Sequence, residues 1–245
     1  FVNKEAKKFL KNYDFKAVPW AKDTYLVTRK EFVLLKKTKE YASGAFYIQN
    51  LAELLPVFIL NPKTNNRVLD MYSGNSALNF SNLMKNQGEI IANCDEGIGK
   101  LIEALNKHRI KNVEVISERG EDLNKKYSEE FDKILLNAPS SREGIVHFSQ
   151  KRPLKNWSIQ KTKALSKLQK RLITTAFKCL KKGGLLVYTT ATISPNENEE
   201  VVSFLLNENK NAVLEKIDLL EENNFKEYRP FIKKALKSWN NDTYH

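Results

Sequence analysis

Cysteine and histidine are scarce in this chain. Two thiols, Cys94 and Cys179, cannot build a disulfide framework or a cysteine-based zinc site. His108, His147 and His245 are too scattered to suggest another metal centre. So few cysteines fit a reducing, intracellular compartment, cytoplasmic or organellar. Long apolar runs are missing as well. The longest, from Leu54 to Leu60, is interrupted by Pro56 and falls far short of the roughly 20 residues that span a bilayer as a helix. No signal peptide, internal repeat or low-complexity linker stands out. The first residue is Phe1 rather than Met, so an upstream piece is expected. Acidic residues are missing from one long segment. Between Gly144 and Asn196 there is no Asp or Glu, while Lys151, Arg152, Lys155, Lys161, Lys163, Lys167, Lys170, Arg171, Lys178, Lys181 and Lys182 fall inside it. The net charge is +12. A lysine-rich composition explains the abundance of charge but not an acid-free stretch of this length. Such a field favours polyanions, nucleic acid first.

What is present fits one good-sized core and a small appendage, with 41% hydrophobic residues in 245. Residues 1–45 are lysine-rich with interspersed aromatics and read as an accessory module, with short strands expected at 23–27 and 31–35. From residue 46 the pattern alternates. Short apolar runs at 67–71, 89–93, 113–116, 133–136 and 185–188 read as buried parallel strands. Helices are expected at 76–85, 97–107, 159–180 and 199–206. The third of these carries Leu165, Leu168, Leu172, Ile173, Ala176 and Leu180 at helical spacing and ends at Lys181-Lys182-Gly183-Gly184, basic residues then glycine. Alternation of this kind predicts a doubly wound, mostly parallel α/β sheet over residues 46–245, of the Rossmann-like type.

In such sheets ligands bind beyond the carboxyl ends of the strands. Asp70-Met71-Tyr72-Ser73-Gly74-Asn75-Ser76 lies at the first strand-to-helix turn, where a small residue and a glycine let the backbone approach a nucleotide-like ligand. The alternative is an ordinary tight turn. Further along, Leu136-Asn137-Ala138-Pro139-Ser140-Ser141 and Tyr188-Thr189-Thr190-Ala191-Thr192 end two of the expected strands. Other runs stand out with them: Gly44-Ala45-Phe46-Tyr47-Ile48-Gln49, Lys151-Arg152-Pro153 with Trp157, Leu168-Gln169, and Ser194-Pro195-Asn196-Glu197-Asn198-Glu199.

Jointly these runs, from about residue 40 to about residue 206, resemble the Nop/Sun-type RNA cytosine-5 methyltransferases. The first turn resembles the loop that holds S-adenosylmethionine in class I methyltransferases. The resemblance implies a Rossmann-like methyltransferase domain and a rRNA or tRNA partner. It implies cofactor contacts from Asp70, Ser73, Gly74, Ser76, Asp95 and Asn137. The family's chemistry uses a cysteine thiolate that adds to carbon 6 of cytosine, which makes carbon 5 able to take a methyl group. A second cysteine helps release the product and an Asp assists at the base nitrogen. Cysteine suits this because its thiolate is a strong nucleophile even when only partly ionised. In this chain those three positions read Ala191, Ser140 and Asn137. Losing one such element costs orders of magnitude in rate, so 5-methylcytosine formation is not expected.

The cofactor region departs from the family too. Its Pro-Gly-Gly-Lys segment is shortened, and its Asn-Asp pair after the second strand reads Asn93-Cys94, with Asp95 one place later. Asp95 is expected to cap the following helix rather than hold a ribose, and Arg119 to stand where the family has an acid. Relaxed use of S-adenosylmethionine follows. Gln49, Trp157 and the run 196–199 fit packing and capping roles as well as functional ones. The family's final strand, Thr-x-Gly-Phe-Phe, has no full match at 241–245, so the expectation is a fragment or a sheet edge covered by a partner protein.

The leading expectation is therefore an inactive RNA-binding member, with Lys151, Arg152, Lys155, Trp157, Lys161 and Lys163 as RNA contacts. Two alternatives remain open. One is an active S-adenosylmethionine-dependent enzyme with non-cysteine chemistry, for which Asn137-Ala138-Pro139-Ser140 offers a faint likeness to the loop of amino-group methyltransferases. The other is a protein-interaction subunit of another methyltransferase. No metal and no membrane association is expected.

Overall fold

The computed structural model describes residues 4–10, 13, 15–145, 157–217 and 225–226. The N-terminal module holds α1 (Lys4–Leu10), a two-residue antiparallel pair of β1 (Lys16–Ala17) and β2 (Tyr25–Leu26), α2 (Arg29–Leu35) and α3 (Lys39–Ala42). The run 31–35, expected as a strand, lies in α2. The reason is local. Thr28 accepts from the Glu31 amide, and the Glu31 carboxylate accepts from the Thr28 amide at 2.7 Å, a reciprocal capping box. Two neighbouring donors are satisfied that a strand would leave to a ladder partner. Ala6, Leu10, Leu35, Ala45 and Phe46 form the module's small core.

The main domain follows. α4 (Leu51–Leu60) leads into β3 (Arg67–Met71), α5 (Ser76–Leu83), β4 (Glu89–Asn93), α6 (Ile98–Lys107), β5 (Val113–Ile116), β6 (Phe131–Asn137), α7 (Ile159–Cys179), β7 (Leu180–Thr189) and α8 (Glu199–Glu208). The five strands β3 to β7 pair in the order β5-β4-β3-β6-β7, all parallel. The order reverses at β3, so the crevice of a doubly wound sheet opens beyond the carboxyl end of that strand. β3 and β4 are apolar along most of their length because both sheet faces are covered. Leu69, Met71, Ile134, Leu172 and Ile173 pack on the α7 side. Val57, Leu60, Val68, Phe80 and Ile90 pack on the other.

One boundary departs from expectation. α7 stops at Cys179, and β7 begins at once with Leu180, so the basic-glycine run 181–184 lies inside the strand rather than closing the helix. The strand reaches so far back because Leu180 pairs with Phe131 across an irregularity in the β6–β7 register. Gly183, with φ +77, takes the left-handed conformation there.

The module is fastened to the sheet domain at several points, Trp20 against Phe58 of α4 among them. A Cβ on Gly44 would meet the Lys107 carbonyl oxygen at 2.4 Å, so only glycine lets the chain pass. Farther on, Tyr47 and Gln49 reach the fully buried Asn79 of α5. The Tyr47 hydroxyl donates to Asn79 Oδ1, and Asn79 Nδ2 donates to Gln49 Oε1 at 3.1 Å. Gln49 thus has the packing role its sequence setting allowed. No described helix is long and apolar enough to cross a membrane.

Candidate functional site

The turn after β3 is built around Asp70, whose side chain is buried. The hydroxyls of Ser73 and Ser76 both donate to Asp70 Oδ2 at 2.6 Å, and Oδ1 has no partner. Burial pushes the carboxyl up to about 6, against the two hydroxyls that favour its charged form. The Ser73 amide donates to the Asn93 carbonyl at 2.8 Å, which ties the turn to β4. Tyr72 sits in the left-handed region at φ 60, rare for an aromatic residue. Its ring passes Gly120, where a Cβ would lie 3.2 Å from the phenol oxygen and 2.8 Å from Leu172. Burial first, then the carboxylates of Glu121 and Asp95, push the Tyr72 hydroxyl up to about 12, with Arg171 opposing. A Cβ on Gly74 would meet nothing within 4 Å, so the turn borders open space.

Asp95 does not cap the next helix. Gly97 occupies the N-cap of α6 with no side-chain bond, because its φ of 78 turns the chain there instead. The Asp95 side chain is exposed, and no hydrogen bond to it is seen among the described residues. Asn93 is buried and spends its amide on the Glu118 backbone, donating to the carbonyl at 3.0 Å and accepting from the amide at 2.8 Å. Arg119 is exposed and pairs with Glu121 at 3.8 Å and Asp122 at 3.7 Å. Tyr72 and Asn93 lie in runs that the sequence marked, without a role of their own there, and Glu121 was not singled out. Their place in the crevice follows from the strand order.

The second half of the site comes from the loops after β6 and β7. The Ala191 amide donates to Ser140 Oγ at 3.1 Å, which joins positions 51 apart in sequence. Asn137 is exposed at the end of β6, where its Oδ1 accepts from the Thr189 hydroxyl at 3.3 Å. Behind them lies a fully buried carboxylate, Glu197. Its Oε2 accepts from the Ser141 amide at 3.0 Å and the Gln169 amide at 2.9 Å. Gln169 also donates to the Pro139 carbonyl at 2.8 Å, and the Tyr188 hydroxyl donates to the Glu197 carbonyl at 2.6 Å. These bonds hold both loops in one frame. Neither cysteine joins them. Cys179 is fully buried at the end of α7, and its thiol is pushed up to about 12 by burial. Cys94 is buried after β4, and its thiol donates to the Glu96 carbonyl.

At the rim, Trp157 is 41% exposed and its indole nitrogen donates to Glu143. Lys161 and Lys163 lie on the exposed face of α7. Lys151, Arg152 and Lys155 fall outside the described residues.

Comparison with known proteins completes the picture. The family model for the 16S rRNA methyltransferase RsmB/F matches residues 57–241. A tRNA (cytosine(49)-C(5))-methyltransferase of Pyrococcus abyssi is 36% identical over 221 residues, covering 88% of this chain and 70% of that protein. A ribosomal RNA small subunit methyltransferase F of Aeromonas salmonicida is 36% identical over 203 residues, covering 79% of this chain but only 42% of that protein. Among solved structures, NSun6 from Pyrococcus horikoshii with SFG has a TM-score of 0.63 and 30% identity, over 71% of this chain and 45% of that one. A methyltransferase homolog protein from the same organism has a TM-score of 0.69 and 31% identity, over 82% of this chain and 64% of that one. The chain belongs to the RsmB/F family of S-adenosylmethionine-dependent RNA cytosine-5 methyltransferases.

Proposed function

We propose that this chain is an RNA-binding member of its family that no longer forms 5-methylcytosine, and that it serves as a recognition or assembly component on rRNA or tRNA. One observation carries the reading. The positions that meet at the head of the two loops are Ser140 and Ala191, joined by a backbone-to-hydroxyl bond, so no thiol is present at either. Ala191 has no nucleophile. Ser140 Oγ accepts from an amide, and among the described residues no base is bonded to it to remove its proton. Asn137 carries a neutral amide where the family's chemistry uses a carboxyl. Both cysteines are buried elsewhere.

The residues at the β3 turn fit S-adenosylmethionine. Gly74 faces open space, and Asp70 holds the turn through Ser73 and Ser76. The Asp95 carboxylate, free of a capping role, suits the ribose hydroxyls. When bound, the cofactor would supply a methyl group; Asp95 would hold it at the ribose, and Asp70 would set the shape of the turn beneath it through Ser73 and Ser76. This favours a second reading, a live methyltransferase using non-cysteine chemistry. Calorimetric titration separates the binding question from the chemistry.

The deciding experiment incubates the full chain with RNA and labelled S-adenosylmethionine, and measures RNA binding beside methylation. The expected result is salt-dependent RNA binding with no methylated cytosine. Reversing charge at Lys151, Arg152 and Lys155 is expected to lower the affinity and the salt slope together. Methylated cytosine in the product overturns the inactive reading, and absence of RNA binding overturns the RNA role.

A further inference from the structure

Three exposed apolar side chains lie on or beside the loops after β6 and β7. Trp157 is joined through Glu143 to Thr192, since the Thr192 hydroxyl donates to the same carboxylate at 3.2 Å. Ile193, the next residue, is 74% exposed, and Ile159, at the head of α7, is 60% exposed. Isolated exposed apolar residues are ordinary. Here an indole is held by its one polar atom to Glu143, which also accepts from Thr192 beside Ala191, and two fifths of the residue stays exposed. No aromatic ring or cation stacks on it among the described residues. From Ile159, the positions four apart along α7 are Lys163, Lys167 and Arg171, all exposed. They form one row, stepping about 6 Å along the axis per residue pair. Lys163 and Lys167 make no ion pair among the described residues. Arg171 meets Glu121 at 3.3 Å.

We infer that Trp157 is a stacking platform for an unpaired RNA base at the cleft rim, and that the Lys163–Lys167 face of α7 carries the adjoining phosphates. The inference rests on the RNA-binding reading above and narrows it to single-stranded RNA. Stacking needs a free π-face, which a duplex does not offer along its length. The row of cations leading away from an apolar head suits a strand that enters at the rim and follows the helix.

Fluorescence anisotropy with the full chain tests this, using a labelled unpaired oligoribonucleotide and a duplex of equal length. Trp157→Ala is expected to weaken binding of the unpaired strand roughly tenfold, the loss of one stacked base, and to leave duplex affinity unchanged. Trp157→Phe should restore most of it. Ile193→Asp, at a position too exposed to matter for folding, should also weaken the unpaired strand. Lys163→Glu with Lys167→Glu should reduce the salt slope by about 1.4. Equal losses on both RNAs, or no loss with Trp157→Ala and Ile193→Asp, overturn the platform. If affinity then still falls on charge reversal at Lys151, Arg152 and Lys155, the broader RNA role stands. A wild-type chain that binds neither RNA sinks both.

Discussion

The two halves of the crevice are built in different ways. At the β3 turn a buried acid, two bonded serines and an open glycine stand together. At the loops after β6 and β7, the frame is dense with hydrogen bonds, yet the positions it presents, Asn137, Ser140 and Ala191, lack reactive groups. The contrast separates two constraints on one site. Glu197, Gln169 and Tyr188 tie the two loops together, because Glu197 accepts from the Ser141 amide and the Gln169 side chain, Gln169 donates to Pro139, and Tyr188 donates to the Glu197 backbone. The side chains at the tip add one bond each to that frame, Ser140 to the Ala191 amide and Asn137 to the Thr189 hydroxyl, and otherwise face the crevice.

The largest effect expected from breaking this comparison is a gain. Asn137→Asp, Ser140→Cys and Ala191→Cys together return the missing groups to an intact frame. The combined variant should form 5-methylcytosine at a rate on the order of a thousandfold or more above the parent, read by mass spectrometry of digested RNA. If it is as silent as the parent, the β3 turn, not the missing thiols, limits the protein.

Next comes the frame itself. Glu197→Ala leaves the Ser141 amide and the Gln169 side chain without their shared acceptor and opens a cavity, at a cost of about 4 kcal/mol. Urea unfolding measures it, and a loss below about 1 kcal/mol would show that the frame is not held there.

The turn gives a smaller effect that varies with pH. Asp70 has its folded value raised to about 6 from 3.8, so the folded chain binds the proton more tightly than the unfolded one. The ionised carboxyl therefore penalises the fold fully above pH 6, and the penalty fades as pH falls from 6 toward 4. Asp70→Asn keeps an acceptor oxygen for the two serines but has no charge to bury. Its stability relative to wild type should rise by about 2 kcal/mol from pH 4 to pH 7 and then level off. A gap that does not change with pH would place the carboxyl in a more solvated site.

Much of the sheet domain was legible because local signals agree with the tertiary ones. Apolar runs at 67–71, 89–93 and 113–116 are strands to the residue, since strands buried on both faces have only one composition available. Ser140, Ala191 and Asn137 stood out in the sequence because motif residues mark their loops, and the fold brings those loops into contact. The run 31–35 misled, because its apolar content masked a capping box that begins three residues earlier. Asp95 misled because a left-handed glycine, not an acid, starts α6.

By itself the sequence determined the alternation of strands and helices, the acid-free basic segment and the placing of its two thiols at Cys94 and Cys179, away from Ser140 and Ala191. Those are properties of composition and order along the chain. Only the tertiary structure decided that Ser140 touches Ala191 across 51 residues, and that Glu197 supports both loops from behind. It also decided that Tyr72, Asp95 and Glu121 face one crevice, and that Trp157 stands at its rim. Parallel pairing in the order β5-β4-β3-β6-β7 brings together ends that are far apart in sequence, and burial then sets the charge and the partners of each group placed there.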